Sequence, residues 1–90
     1  MSEELYKEMA QSIIDGDSDI STELAKKAIE LNMHPLDAIT NGFVVGVNYI
    51  GDQFGKGEAF LPELVMAGEA MKAAVAVLEP ELLKLGSARE

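Results

Sequence analysis

The sequence predicts an all-α protein, most simply a four-helix bundle, with a short extra C-terminal helix as a variant. Apolar residues recur at steps of three and four along four segments, which is the spacing of one helix face. Short breaks rich in glycine, proline, asparagine and aspartate separate these segments. No stretch shows the apolar and polar alternation of a half-buried strand. With 90 residues and no internal linker, we expect one domain, residues 1–90, with a modest core.

The first two helices are marked by their ends. Ser2 can cap the first helix, and the run Asp15-Gly16-Asp17 stops it. The second helix is expected from about Ser18 to Asn32, with Asp17 or Ser18 as its cap. The residues expected to face inward are Leu5, Met9 and Ile13 in the first helix and Ile20, Leu24, Ala28 and Leu31 in the second.

The third helix is expected to begin at Pro35 and to run to Phe54. Proline suits the first helical turn because its missing N–H would be unpaired there anyway. The helix contains Gly42, Gly46 and Gly51, and each glycine costs about 1 kcal/mol relative to alanine in a helix interior. We therefore expect these glycines to permit a close approach to the fourth helix. The inward-facing residues are expected to be Leu36, Ile39, Phe43, Val47, Ile50 and Phe54.

The fourth helix is expected to begin at Leu61-Pro62. Its inner stripe is expected to comprise Leu61, Leu64, Gly68, Met71, Val75 and Leu78. Pro80 either kinks the end of this helix or starts a short last helix through Leu83, because proline cannot donate the interior hydrogen bond. Residues 86–90 are expected to form a frayed tail.

Composition excludes several classes of function. The formal net charge of -9 repels phosphate backbones, so nucleic acid is not an expected partner. No run approaches the about 18 apolar residues of a membrane span, and the opening MSEELYKE lacks the basic and apolar regions of a signal peptide. The lack of cysteine excludes a disulfide framework and a thiolate metal site. These features favour a cytoplasmic protein that binds neither nucleic acid nor a membrane.

Three aspartates resemble the opening of a calcium-binding loop. Asp15, Asp17 and Asp19 have the spacing of the first ligands of an EF-hand. However, Ile20 stands where that loop needs glycine, and Lys26 stands where it needs a bidentate glutamate. We therefore interpret the aspartates as a capping turn and expect no calcium site.

The single histidine is also a weak candidate for chemistry. Glu30 and His34 are spaced as E-x-x-x-H, whereas a di-iron bundle needs two copies of Glu-x-x-His on facing helices. His34 directly precedes Pro35, so we expect a junction residue and not a metal ligand or a general base. No acidic residue falls on the predicted inner stripes, which disfavours a small enzyme with a carboxylate site inside the bundle.

The turn between the third and fourth helices has unusually apolar flanks. Two glycines in the run Gly55-Lys56-Gly57 suit a tight turn. Around it stand Phe54, Phe60 and Leu61, where a solvated turn would normally be polar. Apolar residues at helical spacing usually indicate core packing, but these residues border a turn. We therefore expect something to cover this end of the bundle.

A set of motifs surrounds the same turn: Gly46, Gly51, Phe54, Gly57, Phe60-Leu61-Pro62 and Met71-Lys72-Ala73-Ala74-Val75. Together they resemble the helical cap domain that precedes the cobalamin-binding domain of corrinoid proteins. That group includes cobalamin-dependent methionine synthase and the small corrinoid proteins of methylamine and methanol methyltransferase systems. The resemblance extends from the first helix to about Leu83, and the FxxGxxFLP turn followed by the MKxAV helix is fairly specific.

The resemblance implies a role for particular side chains. In the family, the residues matching Phe54 and Leu61, with Leu64 one turn on, lie against the upper axial face of the corrin ring. We expect Phe60, Val65 and Met71 to belong to the core instead.

The resemblance also implies a missing partner. In the family the cofactor is held mainly by an α/β domain that follows the helical one, and its D-x-H-x-x-G motif carries the cobalt-ligating histidine. This chain contains no such motif. We therefore expect a piece of a longer corrinoid protein, with a free-standing cap that meets its partner in trans as the alternative. Alone, it should bind cobalamin weakly or not at all.

The function implied by the resemblance is protection and gating of methylcobalamin. The chain would be a non-catalytic module of a corrinoid-dependent methyl-transfer system, moved aside by the partner methyltransferase. The small corrinoid proteins of methylamine or methanol metabolism are the better match within the family. The alternative is a cofactor-free interaction module whose apolar loop end docks a protein partner or a second copy of itself.

Overall fold

The computed structural model describes residues 2–89, with side chains described through Leu85, and consists of four helices. Helix α1 is Ser2–Ile14, and α2 is Ser18–Glu30. Helix α3 covers residues 35–55 in three contiguous stretches, Pro35–Ala38, Ile39–Phe43 and Val44–Gly55, and α4 is Leu61–Arg89. The described part of the chain contains no strand. The predicted all-α four-helix fold is therefore confirmed.

The helix ends follow the predicted local chemistry. Gly16 has a φ of 67° in the turn after α1, a conformation that glycine adopts without steric cost. Asp17 caps α2, because its side chain accepts a hydrogen bond from the backbone N–H of Ile20 at 3.1 Å. Helix α2 ends at Glu30, two residues before the predicted end at Asn32, which has a φ of 61°.

The core lies where the four helices meet. Helix α1 packs most extensively on α3, and α2 packs most extensively on α4. The larger buried apolar side chains are Leu5, Met9, Ile13, Leu24, Phe43, Ile50 and Leu78. Small alanines fill the positions of closest approach and are Ala25, Ala28, Ala38, Ala67, Ala70 and Ala74.

Two glycines of α3 permit close packing, but their partner is not the predicted one. A Cβ atom at Gly46 would collide with the backbone oxygen of Ala10 and would lie 2.7 Å from the Cβ of Ile13. A Cβ atom at Gly42 would lie 2.6 Å from the sulfur of Met9. Both glycines therefore face α1 and not α4. Gly51 has nothing within 4 Å of its Cβ position, so its predicted packing role is wrong.

One turn of α3 is a π-helix that the sequence analysis did not predict. The stretch Ile39–Phe43 is wider than an α-helical turn, and the N–H of Val44 donates to the oxygen of Ile39 five residues back. Such turns occur as local insertions within α-helices. Gly42 and Phe43 are both buried in this turn, which lies at the contact with α1.

The C-terminal helix differs from the expectation in one respect. Pro80 does not start a separate helix, because it lies inside a continuous Leu61–Arg89 helix. The tail predicted at residues 86–90 is helical as far as Arg89, and Glu90 lies outside the described residues. At 29 residues and about 1.5 Å per residue, α4 spans the long axis of a body that measures 44 × 27 × 19 Å.

Several residues predicted to face inward are exposed. They are Ile20, Leu31, Leu36, Phe54, Leu61 and Gly68. Five of them lie in the first or last turns of helices, whereas Gly68 lies on the outer face of α4, between the buried Ala67 and Ala70. Periodicity identifies the face on which a side chain lies, but the other helices do not extend far enough to cover each end of that face.

Candidate cofactor-facing surface

The turn between α3 and α4 is held by a dense set of backbone hydrogen bonds. Gly57 has a φ of 80°, and its N–H donates to the oxygen of Phe54 at 3.1 Å. The N–H groups of Glu58 and Ala59 both donate to the oxygen of Gln53, at 2.8 and 3.1 Å. This is the Schellman arrangement, in which a left-handed residue satisfies the last carbonyls of a helix. The turn is therefore a defined structure.

The start of α4 is fixed in the same way. The N–H of Phe60 donates to Oε1 of Glu63 at 2.8 Å, and the oxygen of Phe60 accepts from the N–H of Glu63 at 3.0 Å. A glutamate at the third helical position commonly reaches back in this manner. Ala59 is buried beside it. Phe60 and Leu61 consequently leave the turn at fixed positions.

Large apolar side chains remain exposed around this turn. We call them the apolar tip: Phe54, Phe60, Leu61, Val65 and Met66. Phe60 is 70% exposed, Leu61 60% and Phe54 41%. Soluble monomers rarely leave such groups uncovered together, and a contiguous apolar patch usually marks a binding surface.

The three predicted cofactor-contacting residues differ in their exposure to solvent. Phe54 and Leu61 are exposed at the tip, whereas Leu64 is half-buried and packs against the core. Phe60 and Val65 were predicted to lie in the core, and this is wrong because both are exposed. Phe60 directly precedes α4, and Val65 lies on the outer face of α4 with the exposed Gly68 and Lys72, so apolar character alone indicated burial wrongly. Met71, the third expected core residue, is half-buried against the core.

The turn between α1 and α2 borders the tip. A Cβ atom at Gly16 would lie 2.8 Å from the Cβ of Met66, so this turn packs directly on the second turn of α4. Asp15 and Asp17 flank that glycine and are both exposed. The result is an apolar surface with carboxylates at its edge.

The chemistry available at the tip is limited. Among the residues that the structure describes, no group of three or more His, Cys, Asp or Glu side chains could hold a metal ion. His34 lies in the turn between α2 and α3, where its Nδ1 accepts from the N–H of Leu36 at 3.1 Å. No described aspartate or glutamate is buried. The tip therefore offers apolar contact.

These residues fit one face of a corrin ring but not both. A flat macrocycle presents an apolar face, which an exposed aromatic ring and a leucine side chain can cover. A ligand to the cobalt would need a histidine or another donor, and His34 is far from the tip. The exposed side chains of Phe54 and Leu61 therefore fit an apolar ring face, whereas Leu64 is partly covered by the core.

The opposite end of the bundle carries two open clefts. A cleft of about 610 Å³ lies between the start of α1 and the turn after α2 and is lined in part by Tyr6, Lys27 and His34. A second cleft of about 390 Å³ lies on the other side of the same turn, next to Lys84 and Leu85. Within residues 2–89, no helix is both long and apolar enough to span a membrane.

Comparison with known proteins defines the class of the chain. The sequence profile described as "B12 binding domain" matches residues 5–79. The chain therefore belongs to the B12 binding domain family, and the predicted resemblance to corrinoid proteins is confirmed.

Individual relatives are similar over nearly the whole chain. A corrinoid protein of Desulfitobacterium hafniense is 44% identical over 82 residues, which are 91% of this chain and 38% of that protein. The trimethylamine corrinoid protein 2 of Methanosarcina acetivorans is 39% identical, also over 91% of this chain and 38% of its own length. The chain thus spans well under half the length of these relatives.

A solved structure has the same fold. The monomethylamine corrinoid protein of Methanosarcina barkeri superimposes with a TM-score of 0.88 and 36% sequence identity. The match covers 91% of this chain and 39% of that one. The four-helix arrangement described above is therefore the arrangement found in part of a corrinoid protein.

Proposed function

We propose that this chain is the helical cap of a corrinoid protein in a methylamine methyl-transfer system. The observation that carries the proposal is the apolar tip, whose exposed side chains stand on a turn fixed by backbone hydrogen bonds. Relatives named as methylamine corrinoid proteins support the choice of cofactor and of system.

The tip would cover the upper axial face of cobalamin. Phe54 and Leu61 would contact the ring, and Leu64, which is half-buried one turn further along α4, would be the third contact residue. When bound, cobalamin supplies a cobalt-bound methyl group that can be passed to an acceptor. A low-dielectric cover over that group excludes water and competing reactants.

The cap must also move, because a covered methyl group cannot reach an acceptor. The partner methyltransferase would displace the cap from the corrin face and take its place, as lids do in many enzymes. The five residues of the tip are all apolar and supply no nucleophile or base. We therefore assign shielding and gating to this chain, and catalysis to the methyltransferase. The α/β cobalamin-binding domain of the relatives would hold the cofactor from the other side.

A second candidate is a cofactor-free interaction module. The same exposed tip favours it, because an uncovered apolar surface can bind a protein partner or a second copy of this chain. This alternative predicts that the tip residues affect association between proteins and have no effect on the cofactor.

Photolysis of methylcobalamin distinguishes the two. The chain replaces the matched segment of the full-length Desulfitobacterium hafniense corrinoid protein, which is then loaded with methylcobalamin. Light breaks the cobalt–carbon bond, and a closed cap should keep the methyl group next to the metal so that it recombines. The rate of methyl loss is followed by visible absorbance. We expect Phe54→Ala and Leu61→Ala to increase this rate several-fold.

Leu31→Ala is the matched control. Leu31 and Leu61 are both leucines with 60% exposure, but Leu31 lies at the opposite end of the bundle. This variant should leave the rate of methyl loss unchanged. Equal rates in the parent and in all three variants would remove the cap assignment and favour the interaction module.

A further inference from the structure

Negative charge predominates around the apolar tip. Five exposed carboxylates stand on the two turns and the helix start that form this end, and we call them the acidic rim: Asp15, Asp17, Asp19, Glu58 and Glu63. The contact between Gly16 and Met66 places the α1–α2 turn beside the tip. The only basic residue in the same segments is Lys56. The side chains that border the apolar tip therefore carry mainly negative charge.

The rim carboxylates are not neutralised by ion pairs. Among the described residues, the one ion pair joins Lys84 and Glu81 at 3.5 Å, near the other end of α4. Three rim members make hydrogen bonds to neutral donors, namely Asp15 to Gln11, Asp17 to Ile20 and Glu63 to Phe60. Asp19 and Glu58 accept no hydrogen bond within the described chain and so have their full charge available to a partner.

This distribution determines which partner can cover the tip. A second copy of the chain would place one acidic rim against another, and like charges brought together at an interface are strongly unfavourable. A partner with basic side chains around an apolar centre would instead gain from every rim carboxylate. We propose that the apolar tip docks on a basic protein surface, which is the surface around the cofactor on the cobalamin-binding domain.

The consequence is that closure of the cap depends on salt. This inference rests on the proposed function, since the cap closes on that domain. Exposed charge pairs are screened beyond about 10 Å at 0.1 M ionic strength, so high salt should weaken the closed state. Apolar contact of Phe54 and Leu61 with the ring would persist, because burial of apolar surface does not depend on screening.

The test uses a pair of double variants with the same change in charge. Asp19→Asn with Glu58→Gln removes the two rim charges that make no internal hydrogen bond. The control is Asp37→Asn with Glu30→Gln at the opposite end. Asp19 and Asp37 both lie in the first turn of a helix, and all four residues are exposed. Each double variant is measured in the full-length methylcobalamin-loaded protein described above.

For the parent, we expect methyl loss under light to become about threefold to tenfold faster between low and high salt, as a few exposed ion pairs allow. The rim variant should be fast at low salt and nearly independent of salt, while the control variant should behave like the parent. A parent rate that is independent of salt would overturn the inference. A second result would also overturn the inference. In it, the rim variant loses its methyl group under light at the parent's rate and loses only its salt-dependent association with the methyltransferase.

Sedimentation of the chain alone provides a second readout. We expect a monomer at low salt, since the rims repel each other. A dimer at low salt that Phe60→Ala dissociates would identify a second copy as the occupant and overturn the inference. The proposed function fails separately, because it requires Phe54→Ala to increase methyl loss whatever the salt dependence shows.

Discussion

The two ends of the bundle both expose large apolar side chains, but they differ in the number of these side chains and in the charge around them. At the α3–α4 end, Phe54, Phe60 and Leu61 surround one turn fixed by backbone hydrogen bonds. At the α2–α3 end, Leu31 and Leu36 are exposed to a similar degree. Both turns are held by the same backbone pattern, since the N–H of Met33 donates to the oxygen of Ala28 at 2.9 Å. The difference lies in how many large apolar side chains are gathered at each end.

The surroundings of the two ends also differ in charge. Carboxylates border the α3–α4 tip, whereas the clefts at the other end are lined by residues of both signs, among them Lys27, Lys84 and Glu81. About 36 Å of helix separates Leu61 from Leu85, so the two environments are independent. An exposed leucine alone is therefore common and uninformative. A fixed apolar cluster that is bordered by negatively charged side chains indicates a specific partner.

The largest expected effect concerns the packing that supports both ends. Gly46→Ala should lower the free energy of unfolding by about 3 kcal/mol, because the added Cβ collides with the backbone of Ala10 and forces α1 and α3 apart. Gly51→Ala in the same helix is the control, since nothing lies within 4 Å of its Cβ position. It should raise stability by up to about 1 kcal/mol. Urea unfolding followed by circular dichroism measures both, and equal effects would show that Gly46 is not a contact point.

The next effect compares the two turns themselves. Gly57 and Asn32 both have positive φ values, 80° and 61°. Gly57→Ala should cost about 1–2 kcal/mol, because a Cβ is unfavourable in the left-handed region. Asn32→Ala should cost less than about 1 kcal/mol, since the native residue already bears a Cβ there. Urea unfolding of both variants gives the ranking, and a larger loss for Asn32→Ala would contradict the view that the α3–α4 turn is the more constrained.

A smaller effect concerns the start of α4. Glu63→Ala should cost about 1 kcal/mol, because it removes the carboxylate that accepts from the N–H of Phe60 at 2.8 Å. Glu63→Gln keeps an acceptor at the same position and should recover most of this loss. Thermal unfolding measures both variants. If glutamine is no better than alanine, the hydrogen bond does not hold Phe60 in place.

The smallest effect is expected for the exposed leucines in the chain alone. Leu61→Ala and Leu31→Ala should each change the free energy of unfolding by no more than about 0.5 kcal/mol, as surface substitutions usually do. The two should therefore be equal in urea unfolding and unequal only in the cofactor-loaded protein. A large loss of stability for Leu61→Ala would mean that it supports the fold and would weaken its assignment as a contact residue.

The helices were predictable from the sequence because their signals are local. Asp17 at a cap, Pro35 at a helix start and glycines in turns act within a few residues. The partner of Gly42 and Gly46 could not be predicted this way. A glycine shows that something approaches closely, but whether α1 or α4 does so depends on the arrangement of all four helices.

The site was predicted in part for a similar reason. Phe54 and Leu61 were singled out by the family resemblance, and their exposure is consistent with it. Phe60 and Val65 were assigned to the core because apolar character was the only available signal. Phe60 is exposed in the turn before α4, and Val65 is exposed on the outer face of that helix. Which face of α4 is covered depends on the arrangement of all four helices.

The central claim is that the apolar tip lies against the upper face of the corrin ring. Nuclear Overhauser contacts from the carbon-13-labelled methyl group on cobalt, in the full-length loaded protein, test this directly. The claim predicts contacts to the ring protons of Phe54 and the methyl groups of Leu61, and none to Leu31. Contacts to residues of the α2–α3 end, or to no residue of this chain, would contradict it.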